Sequence, residues 1–413
     1  MPLPGAHGSI VIIAPRAGLA ARVQLGHDRA SLALHLNACA LVVLPLLAAC
    51  SKPAPAAQVT AAATPVPKVE LAAPGPQLPS LQLSRLEYTF QAAKLVQRDW
   101  PAMQPALTCV LLVEAELQWV INCDVAPPNF ERTSQRFREH AVFLHRGGSF
   151  ESEGQARSTA ELLATTPAAA QVPTRDTKGL PGNRPWLVVG SLEALARFHP
   201  AFPNATTEAW VSVVMHELVH THQLRAPGAE RFVDQIVSMQ RTPSALTGLY
   251  LDNPAFHKLI DREYALLTAA ALADPSDQPG AREALKRWLE LYQRRNASLR
   301  SLPKAEQLIA DDVLFSYIEG VARFVESQFL ADPSLHPSAA TLSEDPRFKD
   351  YALFRDRGYA GSPNRQLDEH YFYAIGYHLC VLLDRVDTTW RTRVHTRDQF
   401  LYDLVREVAV RSK

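Results

Sequence analysis

The 413-residue chain predicts an α+β fold: a strand-containing N-terminal lobe and a mainly helical C-terminal lobe. Three observations carry that reading. Two β-rich runs, residues 107–113 and 117–123, are separated only by Glu114-Ala115-Glu116, the mark of a hairpin. From Ser191 onward, apolar residues recur at helical spacing in one segment after another. One of those segments, Val213-Val214-Met215-His216-Glu217-Leu218-Val219-His220-Thr221-His222-Gln223, holds a His-Glu-x-x-His pattern. On a helix His216 and His220 leave one face a turn apart, so their ring nitrogens can grip a single metal ion, with zinc expected. Glu217 follows the first ligand and can act as general base toward an attacking water.

The start of the chain reads as a leader. Arg16, Arg22 and Arg29 precede an apolar stretch at 32–47, which closes on Leu47-Ala48-Ala49-Cys50. A basic region, a short apolar core and small residues before a cut make a secretory signal over 1–49. Leu-Ala-Ala-Cys resembles the lipobox of bacterial lipoproteins. That resemblance implies a lipid anchor at Cys50 and, with Ser51 next, an outer-membrane location facing the periplasm of the bacterial envelope. A membrane span fits less well, because the apolar stretch is short and contains His35, Asn37 and Pro45. Residues 50–80 are rich in Pro and Ala with few large apolar groups, and read as a tether.

Whole-chain charge is balanced, with 42 basic and 42 acidic side chains. Without 1–49 the count is 39 against 41, which offers no electrostatic footprint for nucleic acid. The remaining residues, about 330, suffice for one large core or two joined lobes, drawn here as 81–190 and 191–413.

In order, residues 81–98 read as a helix that stops before Pro101. The hairpin follows, and folding it back brings Cys109 toward Cys123, so a disulfide is expected with Cys380 left unpaired. Residues 141–145 and 186–189 are further strand candidates. The stretch 147–183 reads as loop, with one weak helix at 158–164. Helices are expected at 192–198, from about 206 through the metal pattern, and at 230–240, 255–273, 281–299, 304–330, 367–384 and 396–410. In the metal helix Glu208 sits in the first turn, where a negative charge suits the dipole, and Pro227-Gly228 ends the run.

A catalytic zinc takes three protein ligands and keeps one open position. The metzincin extension is absent, since position 226 is Ala where its third His would lie. His222 is two residues past His220 and points off the metal face. The segment Tyr317-Ile318-Glu319-Gly320-Val321-Ala322-Arg323-Phe324-Val325-Glu326 resembles the Glu-Gly-x-Ala-x-(Tyr/Phe) helix of gluzincin metallopeptidases, the thermolysin-like clan. The resemblance implies that Glu319 is the third ligand, and Gly320 and Ala322 are expected to let this helix approach the His-Glu-x-x-His helix closely. Ninety-eight residues separate His220 from Glu319, an insertion relative to many gluzincins, and Glu263 is the rival ligand. Asp311, Asp312 and Glu326 are candidates to hold the histidines' second nitrogens. Downstream, His370-Tyr371-Phe372-Tyr373-Ala374-Ile375-Gly376-Tyr377-His378 offers the Tyr or His that gluzincins aim at the oxyanion. Tyr373, in Tyr-x-x-Gly, looks most like the family pattern, with Tyr377 one turn later.

The resemblance implies a zinc-dependent peptidase acting on a peptide or protein substrate. The aminopeptidase branch's Gly-x-Met-Glu-Asn motif is missing, which favours an endo- or oligopeptidase. The rival class is a non-enzymatic envelope lipoprotein that keeps the fold and binds metal or a partner. Glu217 argues against it, because a structural site needs the histidines but not the base.

Overall fold

A computed structural model describes residues 10–13, 75–152, 155–165, 168–172, 186–200, 202–225, 252–303, 305–351, 369–394 and 400–410. The fold is α+β, a mixed sheet followed by a mostly helical region. At the sheet's centre is the expected hairpin. β2 (Cys109–Val113) runs antiparallel to β3 (Leu117–Ile121), and the Glu114 N–H donates to the Leu117 carbonyl at 2.8 Å to close the turn. Both strands are buried almost throughout, which is why they read as continuous apolar runs and not as alternating ones. With Val110 facing Ile121, Cys109 comes beside Cys123 and the two are disulfide-bonded, Cα to Cα 5.1 Å.

On one side of the hairpin lie β5 (His140–Arg146) and then β4 (Glu131–Phe137). On the other, β9 (Trp186–Gly190) runs parallel to β2, followed by β8 (Ala168–Val172) and, at the edge, β1 (Ile10–Ile13). β1 falls inside the stretch read as a leader, and pairs antiparallel with 169–172. A separate hairpin of β6 (Ser149–Ser152) and β7 (Gln155–Ser158) leads into α2 (Thr159–Thr165).

Two parts of this differ from the sequence reading. The stretch 147–183 contains the expected helix as α2, but it also supplies β6, β7 and β8, with 173–185 outside the described residues. β4 was not expected because Glu131-Arg132-Thr133-Ser134-Gln135-Arg136 has no apolar alternation. Its place explains this: it is an outer strand, solvated along most of its length and anchored at buried Phe137. Cys50, most of the tether, and the helix expected at 230–240 lie outside the described residues.

α1 (Ser80–Val96) matches the first expected helix. After the sheet come α3 (Leu192–Phe198), α4 (Thr207–Gln223), α5 (Pro254–Leu272), α6 (Gln278–Leu299), α7 (Ala305–Ala331), α8 (Glu369–Val386), α9 (Trp390–Arg393) and α10 (Leu401–Val410). Local chemistry sets several starts. The Ser191 and Thr206 hydroxyls accept from the N–H groups of Ala194 and Ala209, and Asn253 and Asp277 cap α5 and α6. α4 packs against β8, β9, α1 and α7, so it is buried nearly all round and presents no solvent-facing stripe. Its start is pinned by a buried ion cluster. Arg85 of α1 donates to Asp345 at 2.7 and 2.9 Å and to Glu193 of α3, and the Thr207 hydroxyl donates to the same Asp345 at 2.6 Å. Among the described residues no helix is long and apolar enough to cross a membrane.

Candidate metal centre

Three buried side chains converge between α4 and α7. The Nε2 atoms of His216 and His220 lie 3.1 Å apart, and one Glu319 oxygen lies 3.3 Å from the first and 3.5 Å from the second. Their residues are 3 %, 0 % and 2 % exposed, so nothing but a cation or a proton can offset Glu319's charge there. The separations can be tested against an ion. Four ligands arranged tetrahedrally at about 2.0–2.2 Å from zinc stand roughly 3.3–3.6 Å from one another. The three distances match that spacing to within a few tenths of an ångström, so His216, His220 and Glu319 form a group able to hold a metal ion.

The outer nitrogens are also taken. His216 Nδ1 faces a Glu326 oxygen at 3.2 Å, and Glu326 in turn pairs with Arg323 and accepts the Ser212 hydroxyl. Glu326 stands seven residues after Glu319, two helical turns on, and so shares its face of α7. His220 Nδ1 faces the Gln223 side-chain oxygen at 2.8 Å. Both Nε2 atoms are thereby turned inward. With Nδ1 of each ligand engaged this way, neither Asp311 nor Asp312 plays that part; Asp312 accepts from Arg295 at 2.6 Å instead.

Electrostatics in the metal-free chain reflect the crowding. Burial alone would lower the His216 pKa, but hydrogen bonds to Glu319 and Glu326 overcome it and raise it to about 8. Burial works the other way on the carboxylates. It is outweighed at Glu319 by the charge of His220 and the hydrogen bond from His216, and at Glu326 by Arg323 and His216, and both fall to about 2. A proton on His216 thus does part of the charge balancing that a bound cation would do.

Glu217 is fully buried on α4, next to the first ligand. Tyr373 is brought in from α8: its ring stacks on that of His216, with centroids 5.7 Å apart and planes 16° from parallel. Tyr377 is not at the site; its ring packs against Phe324 on α7. The rival ligand is excluded by its own partner, since Glu263 accepts from the buried Arg295 guanidinium at 2.8 Å. His222 is outside the group, and burial pushes its pKa down to about 4.

The expectation for Gly320 needs correcting. A side chain there would meet α8, not α4: an added Cβ would lie 2.2 Å from the Gly376 Cα, and one on Gly376 would lie 2.1 Å from the Ser316 carbonyl oxygen. The paired glycines let α7 and α8 touch backbone to backbone, and so bring Tyr373 to the ligands. Sequence reasoning missed Gly376 as a partner of Gly320, and missed Gln223 altogether. The one available signal was that Gln223 lies three residues past His220, on the same side of the helix.

No protein-family model, no curated protein and no solved structure matches the chain. The case for function therefore rests on the site itself.

Proposed function

We propose that the protein is a zinc-dependent peptidase of the gluzincin type, held at the bacterial envelope by a lipid on Cys50. The observation that carries this reading is the convergence of His216, His220 and Glu319, drawn from helices far apart in sequence, to separations of 3.1–3.5 Å. A structural role would need that triad alone; here Glu217 and Tyr373 accompany it. Zinc at such a site supplies Lewis acidity toward water and toward a carbonyl. The protein's own groups do the rest. Glu217 takes a proton on its carboxylate as water attacks the scissile carbonyl, and hands it to the departing amine. Tyr373, held by stacking on His216, donates its hydroxyl to the developing oxyanion. Glu319 and the histidines fix the ion, and Glu326 and Gln223 fix the histidines. Burial of the whole group keeps bulk water from screening these charges.

The test separates enzyme from binding protein. Purified wild type should contain zinc and cleave members of a broad peptide library. Glu217→Gln should retain zinc and fold yet lose nearly all turnover, because an amide cannot accept the proton. Zinc without cleavage in the wild type would instead favour a metal- or partner-binding lipoprotein, and an active Glu217→Gln would sink the mechanism.

A further inference from the structure

Gln223 makes contacts in two directions. Its oxygen lies 2.8 Å from His220 Nδ1, while its amide nitrogen donates to the carbonyls of Tyr317 and Ile318 at 3.2 and 3.0 Å. Carbonyl oxygens only accept, so the NH2 end of the amide must face α7. The oxygen end is then committed to His220, whose Nδ1 must carry the proton. In the neutral ring that a metal ligand must be, His220 Nε2 is then left with its lone pair directed at the space shared with His216 and Glu319. The two carbonyls belong to the residues immediately before Glu319, and each can accept a second bond beside its helical one. One buried side chain, 2 % exposed, therefore fixes the tautomer of the second candidate ligand and ties down the turn that presents the third.

We propose that Gln223 is a positioning residue for the metal centre, coupling the orientation of His220 to the placement of Glu319. The proposal rests on reading that triad as a zinc site. The two ligating histidines would then be supported differently, His216 by a carboxylate and His220 by a neutral amide. The amide matters because it accepts at one end and donates at the other, which neither Asp nor Lys can do.

The experiment measures zinc affinity of the full-length protein by competition with a chelator, together with the visible spectrum of the cobalt(II)-loaded form. The variants are Gln223→Met, of similar shape with neither hydrogen-bonding end, and Gln223→Glu, which restores the acceptor for Nδ1. Loss of a group that orients a metal ligand typically weakens binding by roughly 10–100-fold. Gln223→Met should show that loss with an altered cobalt spectrum, and Gln223→Glu should stay closer to wild type in both. Denaturant unfolding of the metal-free variants checks that each is folded. If Gln223 only fills space, the order reverses, because Met packs there without burying a charge against two carbonyls. That reversal, or wild-type affinity in Gln223→Met, overturns the proposal while leaving the zinc site standing. A wild type that binds no zinc removes both.

Discussion

Gly320→Ala gives a direct reading of how tightly the site is clamped. The new Cβ would sit 2.2 Å from the Gly376 Cα, 2.5 Å from its carbonyl carbon and 3.0 Å from the Tyr377 nitrogen. Comfortable carbon–carbon contact begins near 3.5 Å, so the shortfall is about 1.3 Å. Every opposing atom is backbone, so no side chain can rotate aside and α7 and α8 must separate. Overpacking of this kind costs about 1–3 kcal/mol, and the upper end applies where nothing can give. Ala in place of a mid-helix Gly returns about 1 kcal/mol of helix propensity. The net expectation is a loss of about 2 kcal/mol in denaturant unfolding of the metal-free protein. Metal affinity should fall as well, because Glu319 is the adjacent residue and moves with α7. Gly376→Ala should behave alike, and the double variant should cost less than the sum, since one separation relieves both clashes. A stability gain of about 1 kcal/mol for Gly320→Ala, the ordinary result in an uncrowded helix, would refute the close crossing.

Other outcomes follow from the same geometry. Glu319→Ala should abolish zinc retention and turnover with the fold intact, whereas Glu263→Ala should cost about 3–5 kcal/mol of stability by stripping a carboxylate from buried Arg295, with zinc retained; zinc contents in the opposite order would overturn the ligand set. His378 is buried, neither ring nitrogen has a hydrogen-bond partner among the described residues, and burial lowers its pKa to about 4. Its unfolded value is near 6.5, so the unfolded chain takes up the proton first, and stability should drop by roughly 3 kcal/mol as pH falls from about 6.5 to 4. His222 shifts in the same direction, so the readout is the difference between wild type and His378→Phe, whose stability should decline less over that window; parallel curves would rule out the buried neutral histidine. Cys50→Ala should release the protein from the membrane fraction or block its processing, and unchanged association with normal processing would eliminate the lipid anchor.

The parts of this molecule legible in sequence are those where one residue type has one physical use. His216, Glu217 and His220 declare themselves by spacing on an apolar helix, and the resemblance of Glu319-Gly320-Val321-Ala322 to the gluzincin helix marked Glu319 out from the other acids. The central hairpin was readable because its strands are apolar except for Gln118 and its turn is short. Gln223 was not, because a glutamine in the last turn of a helix looks like any solvated residue until the facing carbonyls are known. Nor was the Gly320–Gly376 crossing, since which helix a glycine meets is decided by tertiary packing across 55 intervening positions of chain. β4 shows the opposite failure: a strand at the border of a sheet can be polar but for its last residue, here Phe137, held by backbone pairing that leaves little trace in side-chain pattern.

The one free thiol among the described residues has a use of its own. Cys380 is fully buried in α8, and desolvation holds its pKa well above the ordinary value, so it presents almost no thiolate to an attacking disulfide or alkylating reagent. Among the described residues, the Cys109–Cys123 bond, made within the sheet lobe, therefore has no thiol competing for exchange. Labelling of Cys380 has to wait for the helices around it to part. Its rate of modification is then a clock, native to the chain, for opening of the lobe that carries Glu319 and Tyr373: slowed when metal ties α4 to α7, and quickened by any change that pries α8 away.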